Sequence, residues 1–110
     1  MTAAIKRKSF GPRISLTDKQ SAAIVARFAE RRLEVTVENC RTGSVYVRVC
    51  LPDDRETDAA LPGCEVAKIR LSGHSEGINH DSDYMCIGTK AECLAALEKY
   101  IAAIIAEHGA

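Results

Sequence analysis

Residues 34–49 read EVTVENCRTGSVYVRV, and this stretch decides the fold. Valines alternate with polar or charged side chains at 34–38 and again at 45–49, and residues 40–43 interrupt the pattern and end in a glycine. An alternation of period two is typical of a β-strand with one buried face. We therefore predict a β-hairpin that turns at residues 40–43.

A second pair of strands is predicted further along the chain. Residues 67–71 alternate apolar with basic side chains, and residues 84–87 form a short apolar run beyond the polar stretch 72–83. We expect these two runs to pair as a hairpin with a long tip. Together the two hairpins give an antiparallel four-stranded sheet.

Helices are predicted before and after the strands. Thr17 and Gln20 form one capping box, Thr89 and Glu92 form another, and apolar side chains recur at helical spacing after each. Gly109 is expected to end the second helix. The predicted fold class is α+β, in the order αββββα, with both helices packed on one face of the sheet.

One folded domain is expected, preceded by an arm. Gly11 and Pro12 interrupt regular structure, so residues 1–16 are predicted to form a basic flexible arm. Residues 17–110 are predicted to form a single α+β domain, because a chain of this length supports one hydrophobic core.

The formal net charge of zero conceals a division along the chain. Residues 1–32 carry eight Lys or Arg against two Asp or Glu, a net charge of +6. Residues 33–110 carry seven against thirteen, a net charge of −6. A chain divided in this way is suited to binding itself, an anion or a cationic partner.

The first candidate binding surface is basic. It combines the arm with one edge of the first helix: Lys6, Arg7, Lys8, Arg13, Arg27 and Arg31. Arg27 and Arg31 lie four residues apart, where like charges repel unless an anion bridges them. We expect this surface to bind phosphates or acidic side chains. The ordinary alternative is that the arginine stems cover apolar surface and that the arm aids solubility.

The second candidate surface is an acidic loop at residues 52–64. Its acidic side chains are Asp53, Asp54, Glu56 and Asp58. Clustered carboxylates attract a basic partner through their field, much as a phosphate backbone does. The alternatives are a solvated loop and simple neutralisation of the basic surface within one fold.

The polar tip at residues 72–83 is the third candidate. It carries side chains of the types that bind divalent metals: His74, Glu76, His80, Asp81 and Asp83. Their spacing matches no metal motif, and two glycines in the tip disfavour a preformed site. We therefore predict a solvent-exposed recognition loop without a metal.

The five cysteines indicate no catalytic or metal motif. None is part of a C-x-x-C pair, so all are expected to be reduced thiols of a cytoplasmic protein. Cys86 and Cys93 are expected to be buried and Cys64 to be exposed. No catalytic residue or cofactor is assigned, and no signal peptide or membrane-spanning segment is expected.

Two resemblances bear on function. The helix, sheet, helix order resembles the double-stranded-RNA-binding fold, but Thr89-Lys90-Ala91-Glu92 supplies one lysine where that family uses several. The strands Val45–Val49 and Lys68–His74 resemble a pattern in small phage and prophage proteins. The latter resemblance implies an accessory protein that acts by stoichiometric binding, as anti-CRISPR inhibitors do.

These observations favour a non-enzymatic binding protein, encoded by a phage, that occludes a surface of a host defence nucleoprotein complex in the host cytosol. One alternative is a nucleic-acid-binding protein that uses the basic arm with Arg27 and Arg31. Another is a small thiol- or metal-dependent enzyme. A homodimer stays open, either through the alanine-rich side of the last helix or through an unpaired sheet edge.

Overall fold

The computed structural model describes residues 13–52, 65–74 and 82–110. In chain order, the elements are α1 (Asp18–Ala29), β1 (Glu34–Asn39), β2 (Ser44–Cys50), β3 (Glu65–Ser72), β4 (Tyr84–Ile87) and α2 (Lys90–His108). The predicted α+β class with four strands and two helices is confirmed. Both predicted capping boxes are present, and each supplies hydrogen bonds to main-chain N–H groups in the first turn of its helix.

The sheet has the strand order β1-β2-β3-β4 and is mixed. β1 pairs with β2 and β2 with β3 in antiparallel fashion, but β4 runs parallel to β3, with Ile69 opposite Tyr84. The prediction of a purely antiparallel sheet is therefore wrong. A parallel neighbour needs a connection of about a dozen residues, and the polar stretch 73–83 is long enough to return the chain to the middle of β3, where β4 begins opposite Ile69.

The predicted turn between β1 and β2 is confirmed at residues 40–43. Cys40 donates its main-chain N–H to Ser44 O at 2.8 Å, and Gly43 donates to Cys40 O at 3.0 Å. Gly43 has a φ angle of +91°, and a Cβ placed there would lie 3.3 Å from the Cα of Arg13. Glycine at this position therefore permits the positive φ angle and also leaves room for the main chain at Arg13.

One hydrophobic core joins both helices to the same face of the sheet. Because strand side chains alternate between faces, the valines of β2 share one face of the sheet with Ala67, Ile69 and Leu71 of β3, and this face carries the core. The buried residues of this core are Ile14, Leu16, Ile24, Phe28, Leu33, Val45, Val47, Val49, Leu51, Ala67, Ile69, Leu71, Cys93, Leu97, Ile101 and Ile104. Ile14 and Leu16, which the sequence analysis assigned to the flexible arm, are therefore part of the folded domain.

The C-terminal end of α1 is a Schellman motif built without glycine. Leu33 donates its N–H to Phe28 O and Arg32 donates to Ala29 O, each at 3.0 Å. Arg32 has a φ angle of +59° in the left-handed region, which residues with a Cβ adopt at a cost. The motif turns the chain sharply into β1 and buries Leu33.

Candidate docking groove

The two helices cover different strands and leave a groove between them. α1 packs on β1, whereas α2 packs on β3 and β4. The groove has a volume of about 510 Å³. Its lining residues come from the chain before α1 and from both helices: Leu16, Gln20, Ala23, Ile24, Arg27, Leu94, Ala95, Leu97 and Glu98.

The floor of the groove is aliphatic, and both of its walls carry small side chains. Leu16, Ile24 and Leu97 are buried and belong to the core, so the floor is held rigidly by the sheet beneath. Ala23 on α1 and Ala95 on α2 are exposed and carry only a methyl group. Small side chains on both walls allow another helix to approach closely.

An ion pair crosses the rim of the groove. The guanidinium Nη1 of Arg27 lies 2.6 Å from Oε1 of Glu98, and the two side chains are 41% and 65% exposed. Exposed pairs of this kind contribute little to stability, about 0–1 kcal/mol. The pair does, however, show that Arg27 on α1 and Glu98 on α2 lie opposite each other, at the same position along the groove.

The three described residues of the predicted basic surface, Arg13, Arg27 and Arg31, have different surroundings. Arg27 is engaged with Glu98 across the groove. Arg31 donates its Nε–H to Ala110 O at 3.1 Å, and Ala110 donates its N–H to Arg31 O at 2.9 Å. Arg13 is exposed and lies beside Gly43, in the turn between β1 and β2. Lys6, Arg7 and Lys8 lie outside the described residues, as do Asp53, Asp54, Glu56 and Asp58 of the acidic loop.

The predicted recognition loop is anchored at its first residues. His74 is only 6% exposed, contrary to expectation, and its Nε2 lies 3.1 Å from Thr42 O. Its main-chain N–H donates to the Oγ of Ser72 at 3.1 Å, and that oxygen also accepts a hydrogen bond from Ser44 Oγ at 3.0 Å. His74 therefore joins the start of the segment between β3 and β4 to the β1–β2 turn through a hydrogen bond.

The far end of the connection is anchored as well. Asp83 accepts a hydrogen bond from the main-chain N–H of Lys68 on its Oδ2 at 2.8 Å and donates its own N–H to Lys68 O at 2.9 Å. Glu76, His80 and Asp81 lie outside the described residues. Within residues 13–52, 65–74 and 82–110, no group of three or more His, Cys, Asp or Glu is placed to hold a metal ion.

The thiol of Cys93 is buried beneath the first turn of α2. Burial raises its pKa from 9.0 to about 11, and the neighbouring Cys86 adds to the effect. Burial also raises the pKa of Cys40. A nucleophilic cysteine requires the opposite shift. Cys93 is buried as predicted, Cys86 is half-buried, and Cys64 lies outside the described residues.

No protein family model, curated protein or solved structure matches this chain. In the part of the chain that the structure describes, no helix has the length and apolar character needed to span a membrane. The geometry of the groove is therefore the observation on which a functional argument can be built. The sequence analysis did not predict this groove, although it named the alanine-rich side of the last helix as a surface through which a homodimer could form.

Proposed function

We propose that this chain is a non-enzymatic protein-binding module, and that the groove between α1 and α2 receives aliphatic side chains from another protein. The observation that carries the proposal is an aliphatic groove open to water between two helices fixed on a sheet. Covering apolar surface contributes about 25 cal/mol per Å². Exposed apolar concave surfaces on a folded domain commonly mark interaction sites.

The shape of the groove favours an amphipathic helix as the inserted segment. Two helical walls with methyl side chains at Ala23 and Ala95 leave room for a third helix, whose apolar residues at i, i+3 and i+4 would meet the aliphatic lining. Arg27 and Glu98 at the rim offer one cation and one carboxylate to polar groups at the edge of that helix.

The class of partner follows from the resemblance to small phage proteins. We propose a protein subunit of a host defence nucleoprotein complex, which the chain would occlude by stoichiometric binding. Arg13 and the basic residues that precede it would then add contacts to acidic or phosphate groups of the partner.

The groove is tested with a matched pair of substitutions in α1. Ala23→Glu places a carboxylate in the groove, whereas Ala22→Glu places the same side chain at an exposed position outside the groove lining. We expect purified bacterial RNA-guided defence complexes to bind the wild type and Ala22→Glu. Ala23→Glu should weaken binding by at least about tenfold, because a charge would be buried without a partner. Circular dichroism checks that both variants are folded.

Two results would contradict the proposal in different ways. If no defence complex binds the wild type, the assignment of the partner class is wrong. If capture from bacterial lysate is equal for Ala22→Glu and Ala23→Glu, the groove is not the docking surface. Fluorescent DNA and RNA titrated across a salt series test the nucleic-acid alternative, since phosphate contacts give affinity that falls steeply with salt.

A further inference from the structure

We propose that, in the free protein, a second copy of this chain closes the groove and forms a two-fold dimer whose axis runs along the groove. The inference rests on the proposed function, since it takes the same groove as a protein-docking surface and names its resting occupant. Binding of another protein would then require the dimer to open.

The ion pair at the rim selects the second copy and the direction of the axis. Arg27 and Glu98 face each other across the groove, 2.6 Å apart. A rotation of 180° about an axis along the groove exchanges the two walls. It does not change the position of any residue along the groove. It therefore places α1 of one protomer over α2 of its partner, and Arg27 over the partner's Glu98.

The other face-to-face arrangement is less favourable. A two-fold axis that runs across the groove at the level of the ion pair places α1 over α1 and α2 over α2. Arg27 then faces Arg27 and Glu98 faces Glu98, and like charges at an interface cost free energy. Charge complementarity thus distinguishes between the two arrangements.

The charge of the whole chain supports self-association in the same sense. α1 carries one Lys and one Arg against one Asp, a net charge of +1, and α2 carries two Lys against three Glu, a net charge of −1. A dimer that sets α1 against α2 therefore pairs helices of opposite net charge. The total of zero removes the long-range repulsion that keeps copies of a charged protein apart.

The surface that the dimer would cover is suited to helix packing. Leu94 is half-buried at the groove, and Ala23 and Ala95 allow helix axes to approach to about 8–10 Å. Two such grooves placed face to face form a four-helix layer between two sheets. Each protomer would thereby cover Ala23, Ala95 and the half-buried Leu94, which the isolated domain leaves open to solvent.

Analytical ultracentrifugation of four samples tests the dimer: the wild type, Arg27→Glu, Glu98→Arg, and an equal mixture of the two variants. The wild type should be dimeric. Each variant alone would face two like-charged contacts and should dimerise at least about tenfold more weakly. In the mixture, every reversed charge meets an opposite charge on the other variant, so a heterodimer should form.

The intrachain ion pair does not obscure this test. Both variants lose it equally, and its exposure means that the fold should persist, which thermal unfolding checks. A monomeric wild type, variants that dimerise as tightly as the wild type, or a mixture without heterodimer would each overturn the inference. A monomer whose partner capture still depends on Ala23 would overturn the dimer and leave the proposed function standing. Capture that is insensitive to Ala23→Glu would overturn the proposed function itself.

Discussion

The side-chain amide of Asn39 forms two hydrogen bonds with the main chain of Leu16. Its Oδ1 accepts from the Leu16 N–H at 2.9 Å, and its Nδ2 donates to the Leu16 carbonyl at 3.0 Å. Asn39 ends the edge strand β1, while Leu16 lies on the floor of the groove just before α1. The asparagine thus fastens the entry of α1 to the sheet and pairs two main-chain groups that regular structure leaves open.

Asn39→Ala should lower the free energy of unfolding by about 1–3 kcal/mol, because it leaves both Leu16 groups unpaired in a partly buried place. Asn39→Asp is the matched comparison, since it keeps the acceptor for the Leu16 N–H but sets a carboxylate oxygen against the Leu16 carbonyl oxygen. Urea unfolding measures both, and the loss for Asn39→Asp should be at least as large, because two acceptors then face each other. Equal stability of Asn39→Ala and the wild type would mean that water replaces the amide without cost.

Arg32→Gly should stabilise the protein. Arg32 occupies the left-handed region at the end of α1, where a Cβ costs about 1–2 kcal/mol, although glycine also makes the unfolded chain more flexible. We expect a net gain of about 0.5–1 kcal/mol in urea unfolding. Arg32→Ala removes the same side chain but keeps the Cβ, and should give no gain. A glycine variant no more stable than the alanine variant would contradict the strain argument.

The edge strand β4 depends on a tyrosine of α2. Tyr100 donates its hydroxyl hydrogen to Met85 O at 2.9 Å, and its ring lies 5.1 Å from the ring of Tyr84, centroid to centroid. Tyr100→Phe should cost about 1 kcal/mol and speed amide hydrogen exchange in β4. Tyr84→Phe keeps the ring contact and serves as the control, with a smaller effect on β4 exchange. Unchanged exchange in Tyr100→Phe would show that the hydroxyl does not anchor the strand.

Local patterns in the sequence predicted the helices and the first hairpin, because capping residues and side-chain periodicity act over a few residues. The parallel pairing of β4 with β3 was not predictable in this way. The apolar run at 84–87 fits either direction, and the choice depends on the route taken by the connection at 73–83. A polar connection of this length was the available sign against a tight hairpin.

The groove depends on contacts between residues far apart in the sequence. Arg27 and Glu98 are separated by 71 positions, and they meet because α1 and α2 cover different strands. His74 illustrates the same limit, since a histidine between glycines and acids suggests an exposed loop. Its burial follows from contacts with Ser72 and with Thr42 of another turn, which no local pattern indicates.

Alkaline pH should weaken the fold through the thiol of Cys93. This thiol is completely buried and lies 3.7–3.9 Å from three main-chain carbonyls, those of Ser72, Cys86 and Gly88. These contacts hold a neutral S–H as a donor, and burial raises the pKa from 9.0 to about 11. Between pH 9 and pH 11, the Cys93 thiol therefore keeps its proton in the folded state and loses it in the unfolded state. The resulting stability is fully present below pH 9 and is lost as the pH rises from 9 toward 11.

Cys93→Ala removes this titration and allows the effect to be measured. Between pH 8 and pH 10, the free energy of unfolding of the wild type should fall by about 1 kcal/mol more than that of Cys93→Ala. The variant is expected to be less stable at every pH because it loses packing, so the slope with pH is the informative quantity. Burial raises the pKa of Tyr100 as well, and Cys86 and Cys93 add to that shift, so both proteins are compared in a Tyr100→Phe background, where the tyrosine cannot titrate. Parallel slopes in urea unfolding across this range would show that the thiol does not titrate differently in the folded and unfolded states.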